Sequence, residues 1–192
     1  IYDNTIIVIT GDHGEEIGEH SEYGHRFRFY DECMHVPLIF HSPSLTEKHE
    51  ESLVDLMDIA PTICSLAGIR PSSSWKGINL NNNFKKKTHI YFECFHRGNC
   101  LFSEKPLYIG VRTETHKLIW REWIDEEDVS AKSRIELYNL IDDPFEKINI
   151  YSAQNKIGKK LEAIVIKRLK QIPEYINSRD EKYLAKLGIF KN

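Results

Sequence analysis

The 192-residue sequence lacks several features that would have fixed its class at once. No apolar run approaches the roughly 18 residues that a bilayer-spanning helix needs. Neither sign of charge dominates: the net charge is −3, which gives no electrostatic case for nucleic acid or an anionic membrane as partner. Cysteine is scarce, with Cys33, Cys64, Cys94 and Cys100 too few and too scattered for the closed frameworks of small secreted modules. Cys94 and Cys100 bracket His96 and are read as two free thiols, with a zinc site or a disulfide as alternatives. This usage suits a reducing, cytoplasmic compartment. An initiator Met and a signal peptide are also missing, since Ile1-Tyr2-Asp3-Asn4 runs directly into Thr5-Ile6-Ile7-Val8-Ile9-Thr10. A strand so apolar is expected to be buried on both faces between neighbours. The sequence therefore reads as starting inside a larger domain, with its N-terminal part missing.

What is present suffices for a core, with 41% hydrophobic residues. Residues 5–10 read as a strand and 15–35 as a long polar loop with a short helix near Phe29–Met34. Residues 36–41 read as a second strand, entered at Pro37. Asp58 to Gly68 reads as a helix, with Asp58 as N-cap, Pro61 in the first turn and Gly68 closing it. Residues 69–88 are rich in Ser, Asn and Lys and read as a surface linker. The segments 89–93, 108–112, 117–120 and 136–139 carry β-branched and aromatic residues between polar turns, which predicts a small antiparallel sheet. Ile157, Leu161, Ile164, Val165, Leu169 and Ile172 recur at helical spacing. The predicted organisation is an α/β unit over 1–68, the linker, an α+β subdomain over 89–172 and a charged, loosely held tail over 173–192. Trp75, Trp120 and Trp123 are read as packing residues, and Arg112 and Lys117 as solvated.

The chemistry concentrates in Thr10-Gly11-Asp12-His13-Gly14-Glu15-Glu16-Ile17-Gly18-Glu19-His20. Asp12 and His13 follow the end of an apolar strand, where open α/β sheets place their ligands. Adjacent strand residues point to opposite faces, so both can face one ion only if the chain bends there. The flanking Gly11 and Gly14 permit such a bend. On residue types alone two readings stand: a half-site for a divalent cation, and a polar turn with Asp12 bonded to nearby backbone N–H groups.

The order of motifs adds context. After Asp12-His13-Gly14 come Gly18-Glu19-His20, Gly24-His25, Tyr30-Asp31-Glu32 and Val36-Pro37-Leu38-Ile39-Phe40. Further on stand Val54-Asp55-Leu56 with Asp58-Ile59-Ala60-Pro61-Thr62, then Ile109-Gly110-Val111-Arg112-Thr113 and His116-Lys117-Leu118-Ile119-Trp120. Glu136-Leu137-Tyr138-Asn139-Leu140 with Asp142-Asp143-Pro144 closes the series. This succession, over about residues 3 to 170, resembles the C-terminal part of the sulfatases, which share the alkaline-phosphatase-like sandwich. The resemblance implies that Asp12 and His13 are two ligands of the active-site divalent cation, calcium in most sulfatases. Many relatives carry Asn where His13 stands; an imidazole is a softer nitrogen donor than calcium prefers, which leaves manganese, magnesium or zinc open. His25 falls where many relatives place a Lys that touches the sulfate, so the resemblance gives it a catalytic and substrate-binding role. His96 and Arg97 are candidates for the pocket entrance. Glu15, Glu16, Glu19 and His20 are read as supporting or solvated groups, with His20 best placed to orient a ligand.

One part of the family pattern is absent. Sulfatases use a formylglycine made in a Cys-x-Pro-x-Arg type motif, and no Cys or Ser here fits it. The paired Asp ligands of the family's N-terminal part are absent too. The expectation is a sulfatase fragment, inactive alone, whose parent hydrolyses a small-molecule or glycan sulfate ester. The formylglycine and the remaining ligands would lie in the missing N-terminal part. A phosphodiesterase or phosphonate monoester hydrolase of the same superfamily is one alternative. A non-catalytic remnant that binds a partner or glycan is the other.

Overall fold

The computed structural model describes residues 2–25, 29–81, 84–94, 108–121, 134–152, 155–177 and 179–189. His96, Arg97, Cys100 and Trp123 lie outside these described residues.

The best-packed part is a four-stranded antiparallel meander in the order β5-β6-β7-β8. Its strands are Ile90–Cys94, Tyr108–Arg112, His116–Arg121 and Ile135–Asn139. Side chains alternate between the two faces. One face carries Ile109, Val111, Leu118 and Leu137, all fully buried against Leu161, Val165 and Leu169 of helix α3 (Lys156–Leu169). The helix starts where the Asn155 side chain accepts hydrogen bonds from the Ile157 and Gly158 N–H groups. Arg168 also anchors it to the sheet, through both carboxylate oxygens of Glu93.

The opposite face is covered as well. Tyr108, Ile119 and Tyr138 pack there against Phe29 and Tyr30. Gly110 makes room for this cover, because a Cβ at that position would sit 3.1 Å from the Phe29 ring and 3.0 Å from that of Phe92. Lys117 and Arg112 belong to this face. The reading of both as solvated is corrected: Lys117 is fully buried, and Arg112 pairs with Asp31. Period-two alternation cannot distinguish a polar face in water from a polar face under another segment.

The last twenty residues also differ from expectation. Their described residues form α4 (Pro173–Asn177) and α5 (Glu181–Lys186), and Tyr175, Leu184 and Ile189 are buried in the α3-side core. The apolar residues of this segment are few but spaced to face the core, which its high charge obscured. Trp75 is 45% exposed and is not a packing residue.

The N-terminal region holds β1 (Ile7–Thr10) paired antiparallel with β4 (Leu38–His41). Ile9 and Ile39 face each other across the pair, and each is 55% exposed. The expected burial of this strand on both faces is therefore not met among the described residues. Between the strands lie a small hairpin, β2 (Glu16–Ile17) with β3 (Tyr23–Gly24), and the short helix α1 (Asp31–Met34). Helix α2 (Ile59–Leu66) follows a 3-10 turn at Leu56–Asp58. Asp58 does not cap α2 with its side chain. Its fully buried carboxylate instead accepts from the Asp55 and Ile78 N–H groups and from Lys87. Residues 77–81 of the surface linker thus lie against α2, with Leu80 N–H donating to Thr62 and Asn79 to Ser65. Gly77 is required there, since a Cβ would meet the Met57 carbonyl oxygen at 1.9 Å.

Among the described residues, no helix is long and apolar enough to cross a membrane.

Candidate functional site

The turn after β1 brings Asp12 and His13 together. Asp12 Oδ1 accepts from the His13 backbone N–H at 3.0 Å, while Oδ2 lies 3.9 Å from His13 Nε2. His13 Nδ1 is 3.0 Å from the Gly14 carbonyl oxygen. A carbonyl only accepts, so that bond places a proton on Nδ1, and in the neutral ring the lone pair is then on Nε2, on the side of Asp12. Bonds of roughly 2.0–2.4 Å from one ion could span the 3.9 Å between the two donors. The carboxylate is 92% exposed and the imidazole 37%, so the pair is open to solvent.

Gly14 holds this turn in place through close approach rather than unusual backbone angles. Its N–H donates to the Cys33 carbonyl at 2.8 Å, and a Cβ would sit 2.0 Å from the Glu32 carbonyl oxygen. The turn is thereby pressed onto α1. Cys33 itself is buried, and burial first, then the Glu16 charge, pushes its thiol up to about 11. It stays protonated near neutrality and is a packing group, not a nucleophile.

The β2–β3 hairpin delivers His25. Glu16 pairs with Gly24 and Ile17 with Tyr23. Continued by one residue, that register sets Glu15 opposite His25, whose Nδ1 lies 2.6 Å from Glu15 Oε1. The His25 and His13 rings are 4.0 Å apart between centroids, tilted by 31°. Three residues singled out in the sequence, Asp12, His13 and His25, thus meet in one exposed patch. His20 instead stacks on Tyr30 at 3.7 Å, and its Nε2 lies 3.6 Å from Glu32. Sequence reasoning treated Glu15 as one of several supporting acids. The hairpin register was the signal that would have singled it out.

Two polar networks fasten this region to the covered face of the sheet, and neither was foreseen. In the first, Asp31 meets Arg112 and Lys117, and Lys117 also donates to the Phe29 carbonyl at 2.8 Å and lies 2.7 Å from Glu146. Glu146 in turn accepts from the Asp31 N–H at 2.6 Å. Burial works against the Asp31 charge, yet Lys117 and Arg112 hold its carboxyl below the usual range. Glu146 goes the other way: burial lifts it to about 7 despite Lys117. In the second network, Glu136 accepts from Tyr30 and Tyr138, each at 3.1 Å, and pairs with Arg121 at 2.8 Å. Burial, then the Glu136 charge, pushes the Tyr30 hydroxyl up to about 12, so it remains a donor. The sequence signature Glu136-Leu137-Tyr138 therefore anchors Tyr30, five residues beyond His25.

Comparison with known proteins agrees with this architecture. The family model described as N-sulphoglucosamine sulphohydrolase, C-terminal, matches residues 18–174. An N-acetylglucosamine-6-O-sulfatase of Bacteroides thetaiotaomicron is 30% identical over 189 residues, covering 94% of this chain and 32% of that protein. Arylsulfatase K of Mus musculus is 30% identical over 171 residues, covering 84% of this chain and 30% of the relative. The solved structure of BT4656 in complex with its substrate D-glucosamine-2-N,6-O-disulfate superposes with a TM-score of 0.66 at 29% identity, over 91% of this chain and 35% of that one. The chain spans about a third of the length of the curated relatives it matches. The alkaline-phosphatase-like fold, the family match and these relatives together show that the chain belongs to the sulfatase family and corresponds to its C-terminal part.

Proposed function

We propose that this chain is the C-terminal part of a sulfatase that hydrolyses the sulfate ester of a sugar or glycan, with Asp12 and His13 as half of its cation site. The observation that carries the reading is the convergence of an Asp12 carboxylate oxygen and the lone-pair nitrogen of His13, 3.9 Å apart, with the His25 ring beside them. One oxygen and one nitrogen donor fit a divalent cation; calcium is the family's usual choice, with manganese, magnesium or zinc as the alternatives. Such a cation, when bound, would polarise the sulfate oxygens as a Lewis acid. The formylglycine nucleophile and the remaining ligands would come from an upstream part of the protein.

Within this chain the roles divide by position. Asp12 supplies negative charge and His13 a neutral nitrogen, with its tautomer set by the Gly14 carbonyl. His25, held against Glu15, presents a ring that can offset charge on the sulfate or give a proton to the leaving oxygen. Tyr30 and Asp31, fixed to the sheet, hold the far end of the segment that carries His25. A substrate of the sulfated-glucosamine class is favoured by the names of the relatives: an N-acetylglucosamine-6-O-sulfatase and a protein bound to a disulfated glucosamine.

The test is sulfate release by the full-length protein from 4-nitrophenyl sulfate and from N-acetylglucosamine 6-sulfate, set beside 4-nitrophenyl phosphate. Sulfate release is expected, falling on the order of 10²–10³-fold in Asp12→Ala. Turnover of the phosphate ester alone, or undiminished sulfate release in Asp12→Ala, would contradict the reading.

A further inference from the structure

His13, Glu15 and His25 form a second constellation that does not need Asp12. One ligand atom from each of the three lies within 4.8 Å of the other two. Glu15 Oε1 is 2.6 Å from His25 Nδ1 and 3.9 Å from His13 Nδ1. In a tetrahedral zinc site, bonds of about 2.0–2.1 Å set ligand atoms roughly 3.3 Å apart. The first of these contacts must open and the second close, each by less than an ångström, and His13 must move its proton from Nδ1 to Nε2 and give up its bond to the Gly14 carbonyl to free Nδ1 for the ion. The three side chains are 37%, 48% and 56% exposed, so torsional adjustment is unobstructed by a packed core and an ion can enter from solvent.

The donor set decides the class of ion. Two imidazoles and one carboxylate suit zinc and its first-row neighbours, whereas calcium wants six to eight oxygens. Three protein ligands leave a fourth position for water. The backbone already sets up the convergence: the turn after β1 carries His13, the entry to β2 carries Glu15 and the exit of β3 carries His25.

We infer that His13, Glu15 and His25 bind a zinc-class ion at a site that shares His13 with the Asp12–His13 pair but does not use Asp12, and that this ion withdraws His13 and His25 from the substrate. Only the second half rests on the proposed function. In the sulfatase reading Asp12 and His13 act together and His25 faces sulfate. A zinc-class ion on the second constellation takes both histidines at once, so zinc would act as an inhibitor of the same centre.

The first experiment is a calorimetric titration of the 192-residue chain with zinc chloride alone, and separately with calcium chloride alone, at fixed pH. Circular dichroism confirms that each variant keeps its fold. Zinc is expected to bind one to one, with Glu15→Gln and His25→Ala each weakening it by about tenfold or more, and Asp12→Asn leaving it unchanged. Calcium is not expected to compete. Absence of zinc binding, zinc affinity untouched by Glu15→Gln, or zinc affinity lost in Asp12→Asn would each overturn the site. The second experiment measures zinc inhibition of sulfate release by the full-length protein. Glu15→Gln is expected to raise the half-inhibiting zinc concentration by about tenfold, and an unchanged value would overturn the regulatory half. The proposed function fails on a different readout, sulfate release and its dependence on Asp12.

Discussion

The β5–β8 sheet and the β1–β4 strand pair differ in how they are held. The sheet is closed on both faces, by α3 on one side and by Phe29 and Tyr30 on the other. The strand pair leaves Ile9 and Ile39 more than half exposed, and the site residues sit at its end in an open turn and hairpin. Position in the site is therefore secured from outside. Buried charges on the sheet reach across to Tyr30 and Asp31, and α1 receives the Gly14 turn. Within this chain, the site residues lie on the less covered region, and the polar anchors come from the other.

The comparison breaks most sharply at Lys117. Lys117→Met leaves Glu146 buried without its cation and Asp31 half-buried with Arg112 alone, and a loss of about 3–5 kcal/mol is expected in urea unfolding. A loss below about 1 kcal/mol would mean that the network does not join the two regions. Next comes a paired truncation. Leu118→Ala, on the closed face, should cost about 2–5 kcal/mol, and Ile9→Ala, on the open strand pair, well under half as much; equal costs would erase the distinction between the regions.

A smaller effect concerns pH. Glu146 holds its proton more tightly in the folded state, with its carboxyl raised to about 7 from 4.5. Its contribution is therefore fully present below pH 4.5 and is lost as the pH rises to about 7. Glu146→Gln should flatten the fall in stability across that window by on the order of 2 kcal/mol. A slope identical to that of the parent chain would remove Glu146 as its source.

Much of the sheet and of α3 was legible in the sequence. The four strands follow from short β-branched and aromatic runs between polar turns, and α3 from its apolar stripe, four members of which (Leu161, Val165, Leu169 and Ile172) are buried. The pairings across the chain were not legible. Lys117, Arg121 and Glu136 alternate with apolar residues as an exposed face would, and only the segment that folds over them makes them interior. Asp12, His13 and His25 stood out through spacing and resemblance. Glu15 did not, because its partner lies ten residues away across a hairpin of two-residue strands. The turn glycine Gly14 was marked correctly but for a different reason: the space it leaves for the Glu32 carbonyl matters more than its backbone freedom.

The most direct measurement is anomalous diffraction from crystals of the full-length protein grown with calcium or manganese. The account predicts an ion bonded to both an Asp12 carboxylate oxygen and His13 Nε2, at roughly 2.0–2.6 Å. Calcium bound in the cleft without Asp12, or those two side chains diverging from it, would contradict it.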